Sequence, residues 1–318
     1  MKEPVVRVTE ITREQWLAAR RTGIGGSDAS AVVGLNPYSS LFFLYNDKLG
    51  LLPEKEDSEA MRQGRDLEQY VAERWMERTG KRCRRNNTMW RSTEHPCMLA
   101  DIDREIVGEN AGLECKTTSV YNRADFAAGN IPPTYYVQCM HYMAVMGYDR
   151  MYLAVLVLNS GFYDFVIERD EAEIAALAAQ EASFWRRVRE HDPPPPDGSE
   201  ATRDALRKLY PRERPQEYTM QLFGQLYDSV LSEWSELQGT IRELKALAEE
   251  KKAIVMAEMG DAPLAETDGY AVSWRVQSRA SIDAQALKRD HPEIYREYIK
   301  TTQTRVFRAK KKREVDET

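Results

Sequence analysis

The chain has 318 residues, of which 42% are hydrophobic and 30% charged, and its formal net charge is −6; this length suits one large domain or two smaller ones with an ordinary core. The acidic balance argues against a strongly basic nucleic-acid binder, yet leaves room for an enzyme that combines acidic metal ligands with a basic channel. With no N-terminal basic-then-apolar leader and no apolar run near the roughly 18 residues of a membrane span, the sequence reads as soluble and cytoplasmic.

Thr12-Arg-Glu-Gln15 has the spacing of a capping box and opens a helix through about Arg20. Gly23-Ile-Gly-Gly26 breaks it, and Ser27 is placed to cap a second helix over 28–33, which Gly34 and Asn36-Pro37 stop. A third helix spans about 58–79, with Leu67, Val71, Trp75 and Met76 along one face. Strands are expected near 82–91, 97–107 and 111–118. After Ile131-Pro-Pro comes a helix over about 134–146, ended by Gly147. Strands at 151–158 and 163–167 flank Asn159-Ser-Gly161, and 171–191 is helical. The proline run over 192–199 cannot continue a helix and reads as a linker between a domain at 1–191 and an extension at 200–318. In that extension a helical pattern covers about 216–259. Its Leu226, Val230, Trp234, Leu237, Ile241, Leu244 and Ala248 recur at spacings of three and four, the seam of a coiled coil or helical hairpin. A strand at 270–276, a helix over 283–299 broken at Pro292, and a strand at 304–310 close the chain.

The most informative stretch is 98–118, MLADIDREIVGENAGLECKTT. Asp103 falls in the first apolar run. After a short turn, a second run ends in Glu114-Cys115-Lys116. Residues two apart on a strand share a face, so Glu114 and Lys116 project together while Leu113 and Cys115 face the opposite way. A hairpin would return Asp103 to their side. Gathering two carboxylates and an ammonium at one point of a sheet is costly unless something such as a divalent cation with a phosphate uses them. A hard cation takes carboxylates, carbonyl oxygens and water, so Asp103, Glu114 and the main-chain carbonyl of Cys115 form a candidate ligand set. By itself Glu-x-Lys is common and equally describes an exposed strand with an ion pair.

Other residues add to the pattern. Glu68, four positions after Gly64 on the third helix, could hold the metal directly or through water, or be a solvated helix charge. Gln138 could reach a phosphate or the attacking water, or be an ordinary helix glutamine. Arg20 and Ser27, beside Gly23-Ile-Gly-Gly26, could form an anion pocket at a helix start or a plain packing corner. That segment lacks the GK[ST] of a P-loop and the preceding strand of a dinucleotide-binding turn. The four cysteines, Cys83, Cys97, Cys115 and Cys139, contain no CxxC, and the four histidines contain no HExxH.

Taken in order, WLAARRTGIGGSDASAVVG, AMRQGRDLE, LADIDREI, GLECK, YYVQCMHYM and YDFVIERDE resemble the phage λ exonuclease and YqaJ viral recombinase family of the PD-(D/E)xK nuclease superfamily, over about residues 12–190. The resemblance implies an α/β fold with a central mixed sheet flanked by helices, followed here by a C-terminal α+β extension. It implies a Mg²⁺-dependent deoxyribonuclease, with Mn²⁺ able to substitute, that degrades duplex DNA from 5′ ends and leaves 3′ single strands for a phage annealing protein. The family's metal-binding Asp and Glu fall on Asp103 and Glu114, its lysine on Lys116 and its helix glutamate on Glu68. Residues that grip the 5′ phosphate fall on Arg20, Ser27 and Gln138, and a family tryptophan falls on Trp16, which could pack the core or touch DNA. The family has Ser-Pro before its aspartate; here Asp101 and Ile102 stand there. An acid cannot grip phosphate directly, so strict 5′-phosphate dependence is not implied.

The resulting expectation is a phage or prophage exonuclease in a bacterial cytoplasm, acting at double-stranded DNA ends as a homo-oligomer, a ring-shaped trimer by resemblance, with basic residues such as Lys81, Arg82, Arg84 and Arg85 facing the DNA. The C-terminal helices would mediate assembly, bind the annealing partner or form a self-contained accessory domain. The alternatives are an iron–sulfur nuclease of the Cas4/AddB kind, which needs clustered cysteines, a catalytically silent DNA-end-binding scaffold, and a restriction-type endonuclease.

Overall fold

In the computed structural model, which describes residues 2–54, 57–213, 220–302 and 305–309, the chain divides into two units, Met1–Tyr210 and Pro211–Thr318. The first unit begins with strand β1 (Lys2–Arg7) and helix α1 (Arg13–Arg20). The capping box forms as read: Thr12 Oγ1 accepts from Gln15 N at 3.3 Å and Gln15 Oε1 accepts from Thr12 N at 2.9 Å. A short strand β2 (Ile24–Gly25) leads into α2 (Gly26–Val32). The residue before this helix is Gly25, not Ser27, and Asp28 Oδ2 accepts from Gly25 N at 3.0 Å. The carboxylate, one turn in, takes the orphan donor and leaves the Ser27 hydroxyl available to other partners.

Helix α3 (Leu41–Lys48), capped by Ser40, was not legible, because its apolar run has no one-sided period. Helix α4 (Glu59–Thr79) starts at the Ser58 cap and ends at Gly80, whose φ of 71° suits glycine. The expected strand at 82–91 is two strands, β3 (Cys83–Arg85) and β4 (Thr88–Ser92), and the one at 97–107 is also two, β5 (Met98–Ala100) and β6 (Arg104–Ile106). Next come β7 (Ala111–Thr118), α5 (Arg123–Ala127), α6 (Pro133–Met146), β8 (Arg150–Val157), β9 (Gly161–Glu168), α7 (Glu171–Glu190) and α8 (Glu200–Leu209).

A mixed five-stranded sheet runs β3-β6-β7-β8-β9, with β7 and β8 parallel and the other pairs antiparallel. A smaller sheet runs β1-β4-β5-β2. The chain therefore changes sheets between β5 and β6, across Asp101–Asp103. Helix α4 covers one face of the larger sheet: Val71, Ala72 and Trp75 pack against Leu113, Tyr152 and Ala154. The other face, with Leu153, Val155 and Val157, packs against α6 and α7 through Cys139, Met143 and Ile174. Fully buried His141 of α6 bonds Glu181 of α7 through Nδ1 and the Leu99 carbonyl of β5 through Nε2, both at 2.8 Å, tying those three elements together.

The proline-rich segment does not end this unit. Ser40 and Thr202 share a hydroxyl hydrogen bond of 2.7 Å, and Ala201 and Ala205 are buried, so α8 packs on α3. The boundary lies at Tyr210/Pro211 instead of 192–199: an extended proline stretch ends a helix but does not prevent the chain from docking again. In the second unit, α9 (Gln225–Met259) is followed by a hairpin of β10 (Leu264–Glu266) and β11 (Ala271–Ser273), then α10 (Ala284–Asp290) and α11 (Pro292–Tyr298). Pro292 separates the last two helices as expected. The expected start of α9 at 216 and the ends of the strand at 304–310 lie outside the described residues; 305–309 is not a strand. Leu226, Val230, Leu237, Ile241 and Leu244 are exposed along α9. Among the described residues, no helix is long and apolar enough to cross a membrane.

Candidate active site

Strand parity sets the site. Leu113 pairs with Tyr152 on the α4 face, so Glu114 and Lys116 point to the α6 face. There Gln138 meets both. Its Oε1 accepts from Lys116 Nζ at 2.9 Å and its Nε2 donates to Glu114 Oε1 at 2.7 Å. Lys116 Nζ is also 2.6 Å from Glu114 Oε1. Asp103 enters from the break between the sheets, its Oδ2 accepting from Cys115 N at 2.7 Å. The hairpin expected from sequence therefore returns Asp103 to β7, through the main chain of Cys115. Tyr142, one turn beyond Gln138, accepts from Gln138 Nε2 at 3.1 Å and donates to the Asp101 carbonyl at 3.0 Å.

The electrostatics are those of a crowded, dry acidic pair. Burial, then Glu114 and Glu68, push the Asp103 carboxyl well above its usual range. Burial also raises Glu114, against the pull of Lys116. Burial would lower Lys116, but Glu114 and Asp103 outweigh it and hold its ammonium above the ordinary lysine range. Glu114 Oε2 is buried and has no hydrogen-bond partner. A buried, unsatisfied carboxylate oxygen is expensive, and with Asp103 beside it the pair suits a hard cation that would supply the missing partner. Asp103 and Glu114 are a pair only: among the described residues, no three His, Cys, Asp or Glu side chains are grouped to hold a metal. Water and a phosphate oxygen would have to complete the shell.

Ser27, Lys116 and Gln138 line one cleft of about 450 Å³. Beside it, Arg20 Nη2 donates to Ser27 Oγ at 2.8 Å and to Asp28 Oδ1 at 3.1 Å, and its guanidinium lies 4.9 Å from the Trp16 ring centroid. Trp16 thus packs on Arg20, and its Nε1 donates to Asp101 Oδ2 at 3.0 Å. Lys48, nearly fully buried, donates to Asp28 Oδ2 at 2.6 Å and to the Arg20 carbonyl at 3.1 Å. Burial would raise Asp28, but Lys48 and Arg20 hold it well below the carboxylate range. Burial raises Asp101, which the Trp16 hydrogen bond only partly offsets. The pocket thus carries two acids opposite two bases.

Glu68 stands near enough for its charge to raise both Asp103 and Glu114, but its own partner is an arginine. On the α4 face it pairs with Arg104 Nη1, and Gln69 Oε1 accepts from Arg104 Nη2 at 3.1 Å. Arg104 also donates to the Asp103 carbonyl at 2.7 Å. Glu68 thus bears on Asp103 through its charge and through this arginine. Sequence reasoning missed Arg104, Tyr142 and Lys48. The signal for Arg104 was present: it shares strand parity with buried Ile106 on β6, where an arginine must find partners. Of the basic cluster, Lys81 pairs with Glu109 and Arg84 with Glu105, which reduces its positive field. The four cysteines are free, on or beside separate strands and on α6.

A family profile described as a YqaJ-like viral recombinase domain matches residues 15–149. The uncharacterized protein YqaJ of Bacillus subtilis (strain 168) is 36% identical over 323 residues, covering 96% of each chain. Among solved structures, LHK-Exo in complex with dAMP superposes with a TM-score of 0.50 at 20% identity, covering 56% of this chain and 94% of that one. Another crystal structure of this alkaline exonuclease from Laribacter hongkongensis gives 0.48 at 21% identity, with the same coverage. The likeness is one of fold, a mixed sheet flanked by helices.

Proposed function

Because the chain belongs to the YqaJ-like viral recombinase family, we propose that it is a metal-dependent exodeoxyribonuclease. It would degrade one strand of duplex DNA from its ends, 5′ to 3′, and leave 3′ single strands for phage-type recombination. The observation that carries this reading is the Glu114–Lys116–Gln138 triangle: Lys116 and Gln138 line the cleft, and behind them lies the buried, unpartnered Glu114 oxygen.

Asp103, Glu114 and the Cys115 carbonyl would hold Mg²⁺ or Mn²⁺, with Glu68 acting at a distance or through water. Bound there, the ion would neutralise phosphoryl charge and acidify a water molecule. Lys116 retains its proton at Nζ and so offers positive charge to the pentacoordinate transition state, where a fixed ammonium in a dry site counts most. Gln138 keeps that ammonium in place and aligns Glu114. Arg20 and Ser27 would bind a terminal phosphate, while Asp101 weakens the preference for one by its negative charge. The partners are double-stranded DNA ends and a single-strand annealing protein. Self-association, as a trimer or another oligomer, would keep the enzyme on its track. Its setting would be a phage or prophage gene product in the cytoplasm of a bacterial host.

The test uses purified protein on linear duplex and closed circular DNA, with Mg²⁺ or chelator. Mononucleotides should appear from linear DNA only, and not in chelator. Lys116→Ala should lower turnover by roughly 100-fold or more while DNA binding persists. Cutting of closed circles would make the protein an endonuclease, and binding without hydrolysis would make it a silent scaffold.

A further inference from the structure

Tyr38 is 86% exposed, yet it lines the same cleft as Lys116 and Gln138. None of the steps assigned above uses it. Its loop, between α2 and α3, is held from within: Asn36 Oδ1 accepts from Tyr38 N at 2.8 Å, and Asn36 Nδ2 donates to Ser30 Oγ at 3.1 Å. Pro37 between them fixes one more backbone angle. The ring is thus presented to solvent by a braced backbone, with its desolvation left to something outside the chain.

The cleft has other aromatic residues. Phe126 of α5 and Tyr135 of α6 line the cleft, their rings stacked at 6.5 Å and 16°. Lys116 Nζ stands 5.2 Å from the Tyr135 ring centroid. The cleft therefore has two chemistries within about 450 Å³: a polar floor with Ser27, Lys116 and Gln138, and an aromatic flank with Tyr38, Phe126 and Tyr135. A nucleotide has the same division, phosphate at one end and a flat π-face at the other.

We propose that Tyr38 is a base-stacking residue, forming with the aromatic flank a seat for the nucleobase whose phosphodiester faces Lys116. This rests on the nuclease reading above. Stacking on an aromatic ring tolerates any base, because every base has a π-face. The seat would thus sense that a base is present without reading which one, which suits an enzyme that must remove successive nucleotides of any sequence.

The test measures release of the first nucleotide from linear duplexes whose terminal nucleotide on the cleaved strand is intact or abasic, using full-length wild type, Tyr38→Ala and Tyr38→Phe, with thermal melts to show that each is folded. Wild type should lose about 10-fold in kcat/KM on the abasic end. Tyr38→Ala should lose a similar factor on the intact end, mainly through KM, and should no longer distinguish the two substrates. Tyr38→Phe should behave as wild type, since the ring and not the hydroxyl stacks. A Tyr38→Ala enzyme that discriminates as wild type does overturns the seat, as does a Tyr38→Phe enzyme as impaired as the alanine variant. Active wild type that is blind to the missing base overturns the seat alone. Wild type inactive on every linear duplex overturns the nuclease reading, and the seat with it.

Discussion

Asp103 is held where burial, Glu114 and Glu68 all oppose its ionisation. The sign of the consequence follows from linkage. The folded state keeps the proton to a higher pH than the unfolded chain, whose aspartates ionise near pH 4. Stability is therefore lost as pH rises from the unfolded value through the folded one, and the loss is complete above it. Asp103→Asn removes that cost and keeps an oxygen for Cys115 N. In chelator at pH 8 the variant should be more stable than wild type, and Mg²⁺ should raise the melting temperature of wild type but not of the variant. A variant that melts below wild type in chelator would show that the carboxylate is not under strain. Glu114 and Lys116 were legible because two-residue periodicity fixes their faces, and Asp103 because a short turn returns its segment to theirs. The Asp28–Lys48 bond at 2.6 Å was not, because no periodicity links residues on separate helices.

Among the elements, α4, α6, β7 and β8 follow directly from caps, breakers and apolar runs. The segments 82–91 and 97–107 were read as single strands, and each is divided between two sheets. Alternation tells which way a side chain faces but not which strand lies beside it, so a change of sheet at Asp101–Asp103 leaves no trace in the pattern. That change matters to the site, because it lets Asp103 leave one sheet and reach β7 of the other. The docking of α2 on α6 is similarly tight. A Cβ on Gly26 would lie 2.5 Å from Tyr142 Cε1 and 3.1 Å from Gln138 Cγ. Gly26→Ala should thus cost roughly 1–3 kcal/mol and lower kcat/KM on linear duplex by disturbing Gln138. Unfolding curves and steady-state rates check both, and an unchanged melting temperature would contradict the close approach.

For the molecule as a whole, the first unit contains the described site residues and its own cores. A chain ending at Tyr210 should fold and digest linear duplex, whereas one ending at His191 should be less stable, having lost α8 and the Ser40–Thr202 bond. Circular dichroism melts and the same digestion assay compare them; equal stability would return the boundary to the proline run. The sequence by itself determined the local alphabet of this protein: the caps that start α1 and α4, which strand face carries Glu114 and Lys116, and the order of motifs that marks its family. The tertiary structure alone decided which charges are partners. It gave Glu68 to Arg104, set Asp28 between Lys48 and Arg20, and brought Tyr38 to the cleft of Lys116. Local periodicity reaches only a few residues, whereas these contacts come from the docking of helices on a sheet whose strand order the pattern does not encode.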